Sequence, residues 1–271
     1  MIGSDLLLIF VAGGLLVALA VMVSMSVVRA RRRRIEISQP FPPHWRSLLD
    51  EQLPLYRRLP AELRASLEPL VRGFLADIEF VGCQGFEITD EVRLIISTQA
   101  CLLIVGYGLG AYEALRSVLV YPDEFVVEER DEDEAGVVTE GERALSGQTF
   151  ETARIILSWR DVLESGSGKD IYNVVLHEFA HHLDHSVGGT LSAPASNDVL
   201  EREYEALCDA VDRGEETLID PYGAEHMEEF FAVATETFFE APELLREWHP
   251  RLYDELRRVY RLNPVEWSDA V

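Results

Sequence analysis

Cysteine is scarce in this chain. The three present, Cys83, Cys101 and Cys208, are odd in number and widely spaced. They offer neither a disulfide framework nor a thiolate metal site, and they suit a reducing compartment. Positive charge is scarce as well. With the arginine tract "RARRRR" (Arg29 to Arg34) and Asp5 set aside, 19 basic residues face 47 acidic ones, a net charge of −28. Such a chain repels a phosphate backbone, which argues against nucleic acid as a partner. The acidity reads as a device for solubility or for tolerance of salt, and the run "EERDEDE" (Glu128 to Glu134) as a solvated loop. No internal repeat is visible, which argues against solenoid and propeller architectures.

The arginine tract follows an apolar run. Leu6 to Val28 is 23 residues without a charge, enough at about 1.5 Å per residue to cross a hydrocarbon layer of about 30 Å. The expectation is a transmembrane helix within residues 1–28. A cleaved signal peptide would carry positive charge ahead of a shorter apolar core, whereas here Asp5 precedes the run and the arginines follow it. That asymmetry predicts a single-pass protein of the cell inner membrane, with everything after Arg34 in the cytoplasm. Residues 29–45, basic and then proline-rich through "SQPFPPHW", read as a juxtamembrane linker holding the soluble part off the bilayer. Residues 46–271 read as one domain.

Within that domain, leucines at helical spacing run from Arg46 to Ala76, broken by Pro54 and Pro60. A second helical region from Asp90 to Leu115 is interrupted by "GYGLG", and "VGCQGFEIT" between the two reads as a loop. The period then changes. "SVLVYP", "EFVVEE", "GVVTEG" and "ARIILSW" are short runs rich in Val and Ile, which predicts a sheet of three to four strands. Helices are predicted again near 170 to 185, 197 to 213, 224 to 240 and 249 to 261. Helices, then strands, then helices indicate an α+β domain with a small sheet packed on helices.

The chemistry concentrates in "NVVLHEFAHHLDHSVGG", residues 173 to 189. His177, Glu178 and His181 spell H-E-x-x-H on a predicted helix, with Asp170 as the candidate N-cap and Tyr172, Val175, Leu176, Phe179 and Leu183 as the buried stripe. At about 100° per residue, His177 and His181 lie within about 40° of each other on the face opposite that stripe. Two imidazoles one turn apart can share one zinc ion per chain, and Glu178, turned about 100° away, stands beside the metal, where a base for an activated water belongs. His182 and His185 diverge from that face. Asp184 returns to it and is a candidate to accept the second N–H of a ligating histidine.

A catalytic zinc needs a third protein ligand and one open position. The metzincin pattern would place Gly and His at positions 184 and 187, which are Asp184 and Val187, so that class is excluded. A carboxylate from a later helix remains. In "DPYGAEHMEEFFAVATETFFE" (Asp220 to Glu240), Met227, Phe231, Ala234 and Phe238 form a buried stripe, with Glu225, Glu229 and Glu236 opposite. Glu229, in the middle, is the candidate ligand, and Glu236 joins Asp184 as a candidate support behind the ligands.

"HEFAHHLD" followed some 40 residues later by "DPYGAEHMEEFFAVATETFF" resembles the Mlc titration factor A family of zinc-dependent peptidases, and "VLVYPDEFVV" and "ARIILSW" are similar to its central segments. The resemblance covers residues 46 to 262. It implies a zincin-like fold distantly related to the gluzincins, zinc on His177, His181 and Glu229, Glu178 as general base and Tyr222 as a catalytic tyrosine. It also implies an aminopeptidase-like activity and binding to a sugar-responsive transcriptional repressor.

Two functions follow as expectations. In the first, a membrane-anchored zinc metallopeptidase hydrolyses a peptide or protein substrate, with Glu178 moving the proton and Tyr222, or else His226, donating to the oxyanion. An aminopeptidase further needs a carboxylate for the substrate's ammonium, for which Glu225 and Glu228 are the candidates, and "ARIILSW" is a candidate edge strand for an extended peptide. In the second, the protein sequesters a cytoplasmic transcriptional regulator, and its zinc is structural or its activity secondary.

Overall fold

The computed structural model describes residues 20–22, 24, 27–123, 153–165, 171–186 and 197–270. Prolines set the first boundaries. After a helix α1 through residues 27–38 come α2 (Pro43–Gln52), α3 (Pro54–Arg58) and α4 (Ala61–Asp77). Pro43 and Pro54 occupy the first turns of α2 and α3, where a missing N–H costs nothing. Strand β1 (Glu79–Gly82) leads to α5 (Asp90–Leu103), whose N-cap Thr89 accepts a hydrogen bond from the Val92 N–H at 3.3 Å. After β2 (Ser117–Tyr121) and β3 (Arg154–Ser158) follow α6 (Trp159–Glu164), α7 (Val174–Ser186), α8 (Asn197–Asp212), α9 (Met227–Glu240), α10 (Pro242–Trp248) and α11 (Pro250–Tyr260).

The sheet has the order β1-β2-β3, with both pairs parallel. Val118 and Val120 of β2 stand beside Ile155 and Leu157 of β3, and all four are buried, whereas Leu119 and Ile156 on the other face are half-buried. One face is thus the core face, and α7 packs against β3. Of the predicted strands, "SVLVYP" and "ARIILSW" are present; "EFVVEE" and "GVVTEG" lie outside the described residues. Strand β1 falls at the edge of the segment expected as a loop. It is four residues long and its Glu79 and Val81 are exposed, too short a run to show a period. The seven-residue α10 was likewise unexpected, a single short helix between Ala241 and His249.

Residues 29–45 depart from the expected spacer. Helix α1 continues through residue 38 and lies on α4: Arg29 donates to the Asp77 carbonyl at 2.6 Å, Arg33 to the Asp77 carboxylate at 3.1 Å, and Arg72 to the Glu36 carboxylate at 2.6 Å. Gly73 permits the approach, since a Cβ there would lie 2.3 Å from Leu109 Cδ1 and 3.0 Å from Ile37 Cγ1. Phe41 is buried in the core with its ring 5.3 Å from that of Trp45. Carboxylates on α4 and at Glu36 give the arginines nearer partners than solvent, so the segment belongs to the folded unit. Most of the apolar run at residues 6–28 lies outside the described residues; among those described, no helix is long and apolar enough to cross a membrane.

Two helices bear most of the candidate site residues. On α7, Val175, Leu176, Phe179 and Leu183 are fully buried as the expected stripe, and the Phe179 ring meets Phe74 and Tyr112 at 5.9 and 5.3 Å. Helix α9 differs from its expected one-sided stripe. Every residue from Phe230 to Phe239 is buried, as befits a helix apolar nearly all round. Thr235 and Thr237 tolerate this because each hydroxyl donates to its own i−4 carbonyl, at 2.8 and 2.9 Å. Glu236, expected opposite an apolar face, is therefore enclosed at 3% exposure.

Candidate metal centre

Helix α7 does not start at Asp170, which lies outside the described residues. Its N-cap is Asn173, whose Oδ1 accepts from the Leu176 N–H at 3.1 Å while its carbonyl accepts from the His177 N–H at 3.0 Å. Tyr172, expected in the buried stripe, precedes the helix and is 44% exposed, lining a cleft instead.

From this start the helix presents His177 and His181 to α9. His177 Nε2 lies 3.1 Å from Glu229 Oε2, His181 Nε2 lies 3.3 Å from the same oxygen, and the two Nε2 atoms are 3.1 Å apart. Behind His177, Nδ1 stands 2.8 Å from Glu236 Oε1. In the neutral ring that bond uses the Nδ1 proton and leaves the Nε2 lone pair facing Glu229 and His181. Asp184 is half-buried one turn beyond His181, and its charge bears on the Tyr260 hydroxyl. His182 is buried with its ring 5.6 Å from Tyr112; the side chain of His185 lies outside what is described.

Glu178 and His177 line a cleft of about 740 Å³ together with Tyr172, Val174, Thr217, Leu218, Tyr222 and Val233. Burial raises the Glu178 carboxyl above its ordinary range, against the pull of His177 and His181. Tyr222 sits in a short 3₁₀ turn (Pro221–Ala224) whose cap, Asp220, accepts from the Tyr222 N–H at 2.9 Å. Its ring centroid is 6.2 Å from that of His177, and burial and the Glu229 charge raise its hydroxyl. Glu225 and His226 are exposed just ahead of α9, and Glu228 is exposed in its first turn. β3, the expected edge strand, is terminal in the sheet order among the described residues.

Comparison with known proteins agrees with this arrangement. Residues 27–261 match the model of the glucose-regulated metallo-peptidase M90 family. The chain belongs to this family. It is 38% identical to an uncharacterized protein of Synechocystis over 86% of this chain and 89% of that one. It is 34% identical to the Mlc titration factor A of Pectobacterium atrosepticum over 82% of this chain and 87% of that one, and 33% identical to that of Salmonella agona over 79% and 84%. The resemblance to the Mlc titration factor A family is thereby established over most of the chain.

For a member of the M90 metallo-peptidases, the donor set fits a metal. Donor atoms held tetrahedrally at about 2.0 to 2.1 Å from one zinc ion stand about 3.3 to 3.4 Å apart, close to the 3.1 to 3.3 Å separations among His177, His181 and Glu229. Two imidazoles and a carboxylate are donors zinc accepts, and three of them leave a fourth position open. The electrostatics agree. Burial opposes a charge on His177, but the bonds to Glu229 and Glu236 outweigh it and push its pKa up to about 10. Burial raises Glu229, yet its bonds from His177 and His181 hold it far below the usual carboxylate range. The group favours positive charge at its centre.

Glu236 was expected behind the ligands and stands on His177; sequence reasoning missed the residues that hold Glu236 in turn. The Asn173 side chain donates to Gln99 Oε1 and to Glu240 Oε1, both at 2.7 Å, and its backbone N–H donates to Glu236 Oε2. Arg58 closes on Glu240 Oε2 at 3.1 Å. The available signal was Asn at position 173, a favoured N-cap type nearer the histidines than Asp170.

Proposed function

We propose that this protein is a zinc-dependent peptidase with a gluzincin-related catalytic site, in which His177, His181 and Glu229 hold the metal. The observation that carries the reading is the convergence of their three donor atoms, with His177 and the neighbouring Glu178 lining an open cleft. When bound, zinc supplies the Lewis acidity that makes water a nucleophile near neutral pH. Glu178 takes the proton of the attacking water and returns it to the leaving amine, a task suited to a carboxyl whose proton affinity burial has raised. Tyr222 donates its hydroxyl to the developing oxyanion, and Glu236 holds the His177 ring in orientation. The aminopeptidase assignment rests on the family resemblance; exposed Glu225 and Glu228 are its candidate partners for a substrate ammonium. Metal analysis of the purified protein, then a peptide panel with free and blocked N-termini, tests this. Absence of stoichiometric zinc sinks the metal site, and equal turnover of blocked and free peptides sinks the aminopeptidase assignment.

A second reading rests on the relatives' name. Mlc titration factor A denotes a protein that titrates Mlc, and this chain would by analogy bind a transcriptional regulator. A Glu178→Gln variant separates the two, since partner binding that survives loss of hydrolysis marks sequestration as the main role. We further propose that residues 6–28 anchor the protein in the inner membrane with the catalytic domain in the cytoplasm, on the ground of the apolar run and the arginines after it. Fractionation with and without detergent, with protease protection of intact spheroplasts, decides it; recovery in the soluble fraction refutes the anchor.

A further inference from the structure

The buried polar groups behind the metal centre form one connected set, and Asn173 is its hub. Fully buried, it uses every hydrogen-bonding group it owns: Oδ1 caps α7, Nδ2 is shared between Gln99 of α5 and Glu240 of α9, and the backbone N–H meets Glu236 of α9. Glu236 and Glu240 are one turn apart on α9, so Asn173 grips that helix at two successive turns. Glu236 in turn spends Oε2 on Asn173 and Oε1 on His177. Glu240 is backed by Arg58 from α3, which also donates to the Phe239 carbonyl at 2.8 Å.

We propose that Asn173 is the positioning residue that sets the register between the two helices bearing the zinc ligands, α7 with His177 and His181 and α9 with Glu229. The inference rests on the metal-site reading above. An N-cap needs a single oxygen, and Ser supplies it as well as Asn does. The amide nitrogen adds nothing to the cap. Its bonds to Gln99 and Glu240 fix the side chain, the fixed side chain orients the peptide N–H, and that N–H holds Glu236 in the rotamer that faces His177. Glu236 at 3% exposure has no water to replace the bond. Loss of the amide therefore frees Glu236 to turn, and His177 loses its orientation relative to Glu229.

Asn173→Ser keeps the cap and deletes the brace. Zinc affinity is read by chelator competition well below the melting temperature, with the visible spectrum of the cobalt-substituted protein as a report of ligand geometry. The comparison is Leu67→Ala, which opens a cavity at a buried residue of α4 that bears none of these hydrogen bonds. The expected result is a loss of about tenfold in zinc affinity for Asn173→Ser, at the lower end of what orienting groups behind metal ligands contribute, with a shifted cobalt spectrum, and Leu67→Ala close to the parent in both. Parent-like affinity and spectrum in Asn173→Ser, or an equal loss in Leu67→Ala, overturns the proposal. Should Asn173→Ser not fold, Glu240→Ala removes one brace and leaves the cap and Gln99; weakened zinc binding supports the proposal and unchanged binding overturns it. A parent protein that binds no zinc is a different outcome, which removes the metal-site reading and this inference with it.

Discussion

Two clusters of carboxylates among the described residues differ in their partners. Along α4 and its neighbours four are paired with a guanidinium: Arg46 with Glu68 at 2.5 Å, Arg64 with Asp50 at 2.9 Å, Arg72 with Glu36 at 2.6 Å, Arg33 with Asp77 at 3.1 Å. Around α7 and α9, Glu178, Glu229 and Glu236 have imidazoles, a backbone N–H and one another, and no lysine or arginine lines the cleft among the described residues. The first region is neutralised by its own side chains and holds the N-terminal segment on the domain. The second is balanced only when positive charge enters it. That contrast separates a stabilising use of acid residues from a chemical one, and substitutions can test where the division runs.

The largest effects should fall in the second region. His181→Ala or Glu229→Ala removes one of three donors, and stoichiometric zinc and all hydrolysis should go together, checked by metal analysis and peptide turnover. Glu178→Gln should retain zinc while turnover drops by about 10²- to 10⁴-fold, the range for a lost general base; a variant with parent-like turnover would move the base elsewhere. Tyr222→Phe should lower kcat by about 10²-fold with KM little changed, as for loss of one oxyanion donor. A change in KM alone would make Tyr222 a substrate contact.

The difference between the regions also governs how much was readable in advance. His177, Glu178 and His181 were legible because their chemistry and spacing coincide on one helix, and Glu229 because a third donor was required and a later helix offered acids on one face. Pro54, read as a break, and Pro250 stand at helix starts, whereas Pro43, read within the spacer, and Pro242 open helices at places the sequence reading did not mark. What escaped depends on contacts distant in sequence: Asn173 is 63 residues from Glu236 and 74 from Gln99, and nothing local announces such bonds. The all-round burial of α9 was hidden by its acids, which suggested a polar face; the fold encloses Glu236 at 3% exposure while Glu228 stays exposed. The arginines at 29 and 33 read as a spacer because Asp77, their partner, lies more than 40 residues on.

Smaller effects sharpen the division. Burial raises the Glu240 carboxyl, outweighing the bond from Asn173 and the charge of Arg58. An acid raised on folding contributes stability that is present below its unfolded pKa of about 4.5 and lost as pH rises through the folded value. Glu240→Gln keeps an acceptor for Asn173 and cannot ionise, so above that pH its stability relative to the parent should rise with pH in urea titrations. The opposite slope would mean that Arg58 governs this carboxyl.

The smallest effect should come from Arg46→Ala. Arg46 holds both oxygens of Glu68, at 2.5 and 2.7 Å, and its guanidinium lies 5.8 Å from the centre of the Phe41 ring. Yet its side chain is 48% exposed, so water screens the pair, and ordering a long side chain offsets part of the attraction. The expected cost is at most about 1 kcal/mol, shrinking as salt is added, with zinc affinity unchanged because no bond among the described residues connects this pair to Asn173 or Glu236. A tenfold change in zinc affinity on this substitution would mean that the arginine-paired carboxylates and the metal centre are one coupled system, and the electrostatic boundary drawn between α4 and α9 would have to be abandoned.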